Sequence, residues 1–290
     1  MIDFIKIRVE NTSHEVFLKN SKLTFAQLVS EKDGEVSKNK VAEYRGMKVI
    51  LHTTGAITIT GKLSQFNNKE NDTYREIYAF QYEAVLLRFV GTFNIPLRNC
   101  TLLGLQMGAN VTPINTAEEV LNSMVVHFRN EYKFSNPSCK VVNYKEYNIK
   151  ILNLTAIYNL HDQLFRFEIN LESARVIRKL GIYTLKDLSI TDIQSNIAKY
   201  LFKSWNDSLV LNNDLDFFLH ISKSEKCSDW ATPEYWKELS MDNNVYRNKY
   251  SKELSKVKEM IFFNPDSFQC QTAEALREKL KIMLIALHSL

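Results

Sequence analysis

The sequence is short of residues that break or staple a chain. Eight glycines and five prolines among 290 residues exclude collagen-like and low-complexity architectures. The four cysteines, Cys100, Cys139, Cys227 and Cys270, form no C-x-x-C pair. Neither a zinc site nor a disulfide framework is therefore indicated, and reduced, mostly buried thiols are expected. None of the six histidines stands in a His-x-His pair. No uninterrupted apolar run reaches bilayer-spanning length, and the opening MIDFIKIRVE carries charges inside its apolar stretch. No membrane segment is expected, and the expected location is the cytoplasm. Charge of one sign is scarce too: 37 Lys and Arg against 33 Asp and Glu leave +4, which indicates a nucleic-acid partner only if the basic residues cluster.

What is present is ordinary globular material, 45% hydrophobic and 24% charged, with 17 Phe and 13 Tyr available for core packing or for stacking on unpaired bases. Ile2 to Val9 alternates as a strand, and Met47 to Leu51 with Ala56 to Gly61 form a hairpin turning at Thr54 and Gly55. Leu102 to Val111, Lys140 to Tyr144, Asn148 to Leu152 and Leu164 to Leu171 are further strands, with helical periodicity over Tyr74 to Val90 and Thr116 to Tyr132. A hairpin followed by helix, strand, helix and more strands predicts an α+β fold: a mainly antiparallel sheet with packed helices. After Gly181 alternation stops. Helices are expected over Thr191 to Ser208, Pro233 to Asp242, Val245 to Phe263 and Thr272 to Leu287, the last capped by Thr272. Asn212, Asn213, Asp214, Ser222, Ser224 and Ser228 mark a connecting loop. The division expected is an α+β domain over 1–188 and an all-helical C-terminal region over 189–290.

The segment QLFRFEINLESARVIRKLGIYTLKDL, Gln163 to Leu188, resembles a signature of rolling-circle replication initiators of phages and plasmids of the Bacteroides and Flavobacterium type. MIDFIKIRV, AEYRGMKVILHTTGAITITGKL, CTLLGLQMGANVTPI, YKEYNIKI, Trp205 and ATPEYWKEL fall in the same order as in that family. The resemblance implies a replication-initiator nuclease-like domain followed by a helical extension. It also implies nicking and rejoining of one strand at an origin through a Tyr-DNA intermediate, with Mg2+ or Mn2+ polarising the phosphate. Single-stranded or origin DNA would be the partner, with host replication proteins besides, in a host cytoplasm if the chain is phage-encoded. A phenol of pKa about 10 attacks poorly until a cation or base favours its anion, so such a site needs Tyr, hard oxygen ligands and Lys or Arg.

Several positions depart from the family pattern. Gln106 stands where the family carries Glu, and an amide oxygen is a weaker ligand for a hard cation. Alternation places it with Gly108 and Asn110 on one face of its strand, so Gln106 and Asn110 are either metal ligands or backbone-bonding amides. In GKLSQFNNKEND the family's histidines are missing; Asp72 remains as a carboxylate ligand, or as turn chemistry beside Asn71. Lys150 matches the family's lysine, but Leu152 and Leu154 occupy the following Tyr and Lys positions. Tyr158, on a helix starting near Asn153, is then the nucleophile candidate beside Lys150, or a packing Tyr. Arg166 and Glu168 share the polar face of their strand: Glu168 as ligand or general base with Arg166 on phosphate, or the two as an ion pair. Lys140, Lys145, Arg166 and Arg175 with Tyr147 supply charge and rings for a DNA strand, or a solvated face with ordinary aromatics. His52, nearest the expected site, is read as an exposed strand-end side chain.

Overall fold

The computed structural model describes residues 1–29, 36–68, 74–211, 227–241 and 244–285. Asp72 and the expected loop residues Asn212, Asn213, Asp214, Ser222 and Ser224 lie outside them. The chain has an α+β fold with antiparallel sheet, packed helices and a helical C-terminal region. Two compact units compose it, each discontinuous in sequence: Met1–Gly108 with Asn170–Ala198 and the chain from Ile282, and Ala109–Ile169 with Lys199–Lys281.

In the first unit β1 (Ile2–Val9), β2 (Ala26–Val29), β3 (Val36–Tyr44), β4 (Met47–Leu51), β5 (Ile57–Lys62) and β6 (Cys100–Val111) lie in the order β2-β3-β4-β5-β1-β6. Every neighbouring pair is antiparallel. The alternation read from the sequence is the reason: Ile5, Ile7 and Val9 are buried while Lys6 and Arg8 are exposed. The β4–β5 hairpin turns through Gly55, whose φ of +86° suits a residue without Cβ. Phe66, on the short helix Leu63–Asn68 that continues β5, packs against Phe89 and Phe93 of helix Tyr82–Phe93. That helix starts later than its periodicity suggests. Gln81 Oε1 accepts from the Tyr78 amide at 2.9 Å and closes a capping box, so the residues before Tyr78 stay outside the helix.

In the second unit β7 (Met124–His127), β8 (Asn130–Glu131), β9 (Lys133–Asn136), β10 (Cys139–Asn143), β11 (Tyr147–Asn153), β12 (Phe165–Leu171) and β13 (Ser208–Val210) form two groups, ordered β12-β11-β10-β9 and β13-β7-β8. The helix expected over Thr116 to Tyr132 is only Ala117–Ser123, held by a Thr116–Glu119 capping box. The next four residues are all buried and pair with β13 and β8. A strand buried on both faces shows no alternation, and its apolar run read as helix.

Val125, Val126 and Leu209 pack with Trp230, Trp236, Tyr250, Val257 and Ile261 into one core of this unit. The expected helices appear at Thr191–Asp207, Pro233–Met241 and Asn244–Phe263. The last runs Phe268–Ile285. It starts four residues before Thr272, because the Ser267 hydroxyl accepts from the Cys270 amide, while Thr272 Oγ1 donates back to Phe268 O inside the helix. No helix among the described residues is long and apolar enough to cross a membrane.

Candidate functional site

The second unit brings three of the sequence candidates together. On β12 Arg166 and Glu168 face the same way, and Arg166 Nε donates to Glu168 Oε2 at 2.9 Å. Arg166 Nη1 donates to Asn110 Oδ1, at the end of β6, at 2.8 Å. The i, i+2 pairing expected from alternation is present, but this face is closed to solvent: Asn110 is 7%, Arg166 8% and Glu168 4% exposed. A guanidinium bonded to both oxygens holds the positive charge of the cluster itself, and in a low-dielectric setting it repels a second cation. Asn110 and Glu168 in this arrangement do not fit a divalent ion, which needs several hard oxygens turned toward one point. Among the described residues no three His, Cys, Asp or Glu side chains come together as a metal set.

The remaining candidates lie on several different elements. Gln106 is half-buried on β6, four residues before Asn110 and by alternation on the same face. Lys150 is half-buried on β11 opposite Val141 of β10. Tyr158 is the half-buried last residue of helix Leu154–Tyr158, which Asn153 caps by accepting from the Ala156 amide at 3.0 Å. Lys140 is buried, its ammonium donating to Asn122 O and Met124 O, each at 3.1 Å, and lying 4.7 Å from the Phe134 ring centroid. Burial outweighs the attraction of the Glu131 carboxylate and pulls its pKa down to about 8. Lys145 is exposed in the β10–β11 turn, and Arg175 is exposed on helix Ala174–Arg178 in the first unit. His52 is half-buried, its Nε2 2.9 Å from Thr58 Oγ1. Cys100 and Cys139 are buried free thiols, as expected, and burial pushes Cys100 up to about 12.

A polar network that the sequence reading missed lies beside Tyr147. Tyr144 donates its hydroxyl to His127 O at 2.8 Å, His127 Nδ1 lies 2.6 Å from that hydroxyl, and Nε2 is 3.3 Å from Ser204 Oγ. Burial pulls the His127 pKa down to about 4, outweighing the nearby Asp207 carboxylate, so the imidazole is neutral near pH 7. Tyr144 stacks on Tyr147 with centroids 4.4 Å apart and planes 11° from parallel. Burial pushes Tyr147 up to about 12 and Tyr144 upward as well, so neither phenol is poised to ionise. Ser204 lies 77 residues from His127 in sequence; no local pattern joins the two.

Fold and site define an α+β protein of antiparallel strands whose second unit encloses an Arg–Glu–Asn cluster and, apart from it, a neutral His–Tyr–Ser network. No family model matches the chain, and no curated protein matches it. Among solved structures it is similar to the rolling circle replication initiator protein from Geobacillus stearothermophilus, at TM-score 0.42 and 10% identity, over 81% of this chain and 92% of that one. A likeness at that score bears no weight on function.

Proposed function

We propose that this chain is a replication protein of the rolling-circle-initiator kind that binds single-stranded origin DNA without cutting it. The family part is supported by the ordered run of resembling segments from Met1 to Leu239. One observation carries the non-cutting part: Arg166 is committed to Glu168 and Asn110 in a buried cluster, where a nicking site needs that carboxylate turned toward metal and phosphate. The substitutions at the family's ligand and tyrosine positions, Gln106 and Leu152, point the same way.

The test is incubation of the full chain with origin single strands and Mg2+ or Mn2+. Strand binding that weakens with salt, without a covalent protein-DNA adduct, is the expected result; an adduct would overturn it. A second reading, nicking by Tyr158, is favoured by the position of that residue on a helix that directly continues the strand carrying Lys150. It requires Arg166 to swing away so that Glu168, with Gln106, Asn110 and Asp72, can hold Mg2+ or Mn2+. An adduct abolished by Tyr158→Phe would establish it. Recruitment of host replication proteins would fall to the helical C-terminal region.

A further inference from the structure

The second unit carries a groove of about 380 Å3 formed by β7, β8, β10 and the helix Pro233–Met241. Three cations line it from three different places: Arg129 in the β7–β8 turn, Lys133 at the start of β9, and Lys237 on the helix. Its carboxylate is Glu131, which pairs with Lys133 at 3.7 Å. Three positive charges against one negative leave +2. Among the described residues neither Arg129 nor Lys237 is paired with a carboxylate. Arg129 instead rests over the Tyr250 ring, 5.7 Å from its centroid, which steadies the guanidinium without neutralising it.

Charges of one sign in a concavity walled by apolar side chains reinforce one another, and here Val141, Val142 and Pro233 supply such a wall. Arg is suited to two-point contact with a phosphate and Lys to a point charge. Between the cations stand Asn130, Asn143 and Ser240, groups that both donate and accept and so match sugar hydroxyl or base edges. Tyr144 directly follows the groove residue Asn143 and stacks on Tyr147, and Lys145 follows Asn143 by two residues. The space is too small for a duplex and suits a short stretch of one strand.

We propose that this groove anchors one or two consecutive phosphodiesters of a single DNA strand, at a place distinct from the Arg166 cluster. The proposal rests on the DNA-binding reading above and adds its location.

The test is fluorescence anisotropy of the full chain with a labelled single strand of about 20 nucleotides over a salt series. Arg129→Gln, Lys133→Gln and Lys237→Gln combined should weaken low-salt binding about tenfold or more and flatten the slope of log K against log salt by about 0.7–1.4, since each of the one or two neutralised phosphates on a single strand contributes roughly 0.7. A control with the same charge change elsewhere, Lys22→Gln, Lys38→Gln and Lys40→Gln, should shift binding far less. Equal behaviour of the two triples overturns the groove. A second measurement needs no variant: photo-cross-linking of a bromouracil-bearing strand to the unmodified protein should yield adduct peptides from 126–143 and 233–240. Cross-links confined to other peptides overturn the proposal. Unmodified protein that does not bind single strands at low salt removes the DNA-binding reading and the groove together. Binding that the groove triple leaves unchanged removes the groove alone.

Discussion

At His127 the ring loses water on folding and gains Tyr144 and Ser204 as partners, and the loss outweighs the gain, holding the pKa at about 4. That value lies below the roughly 6.5 of an unfolded histidine, so as pH falls the unfolded chain takes up the proton first. The contribution to stability is complete above about pH 6.5 and is lost progressively down to about pH 4, amounting to ~3 kcal/mol at 1.36 kcal/mol per pKa unit. Urea unfolding at pH 7.5 and 4.5 should show a smaller acid-side loss in His127→Gln than in the unmodified chain; an equal loss would place the titration elsewhere. Arg166 is governed by the same physics. Arg166→Met takes from the buried Glu168 the guanidinium it accepts from and should destabilise the fold by about 3–5 kcal/mol, whereas Arg166→Met with Glu168→Leu should recover most of that. Denaturation midpoints of the two variants check it, and a double variant as unstable as the single would show that the ion pair itself, not the buried carboxylate left behind, matters.

The elements owe their limits to contacts as much as to local preference. β13 is three residues long, yet its backbone is satisfied: Gln269 Oε1 accepts from the Val210 amide and Gln269 Nε2 donates to Ser208 O, each at 3.0 Å. In the β4–β5 hairpin Gly61 stands opposite Met47, and a Cβ there would lie 2.2 Å from Gly46 O and 2.7 Å from Met47 Sδ. Gly61→Ala should therefore destabilise the protein by about 1–3 kcal/mol or more through forced backbone movement. Gly91, inside helix Tyr82–Phe93, has nothing within 4 Å of such a Cβ. Gly91→Ala should stabilise by roughly 0.5–1 kcal/mol, because alanine loses less backbone freedom in a helix. Thermal midpoints moving in opposite directions for the two substitutions would confirm both; a stabilising Gly61→Ala would refute the close approach.

For the whole molecule the proposed function turns on the binding of a single strand. Affinity for single strands should exceed that for a duplex of equal length and should fall as salt rises, because the available contacts are Lys, Arg and aromatic rings; salt-independent binding would refute it. Tyr158→Phe should leave that affinity nearly unchanged, since it removes one oxygen and keeps the ring. Much of this fold was legible in the sequence. Strands such as β1, β4, β6 and β12, and helices such as Thr191–Asp207 and Asn244–Phe263, announce themselves by periods of two and 3.6, because a face must be apolar along the whole element to be buried. The Arg166–Glu168 pair followed from the same alternation. Burial on both sides hid β7, and neither the short β13 nor the largely polar β3 was read as a strand. By itself the sequence determined which residues share a face, which segments resemble an initiator, and that the charge balance is nearly even. Only the tertiary structure decided that the Arg166 face is closed, that His127 is neutral, that Lys140 is spent on backbone carbonyls, and that Arg129, Lys133 and Lys237 line one groove. Solvent exclusion and charge proximity are set by residues distant in sequence, and no local period encodes them.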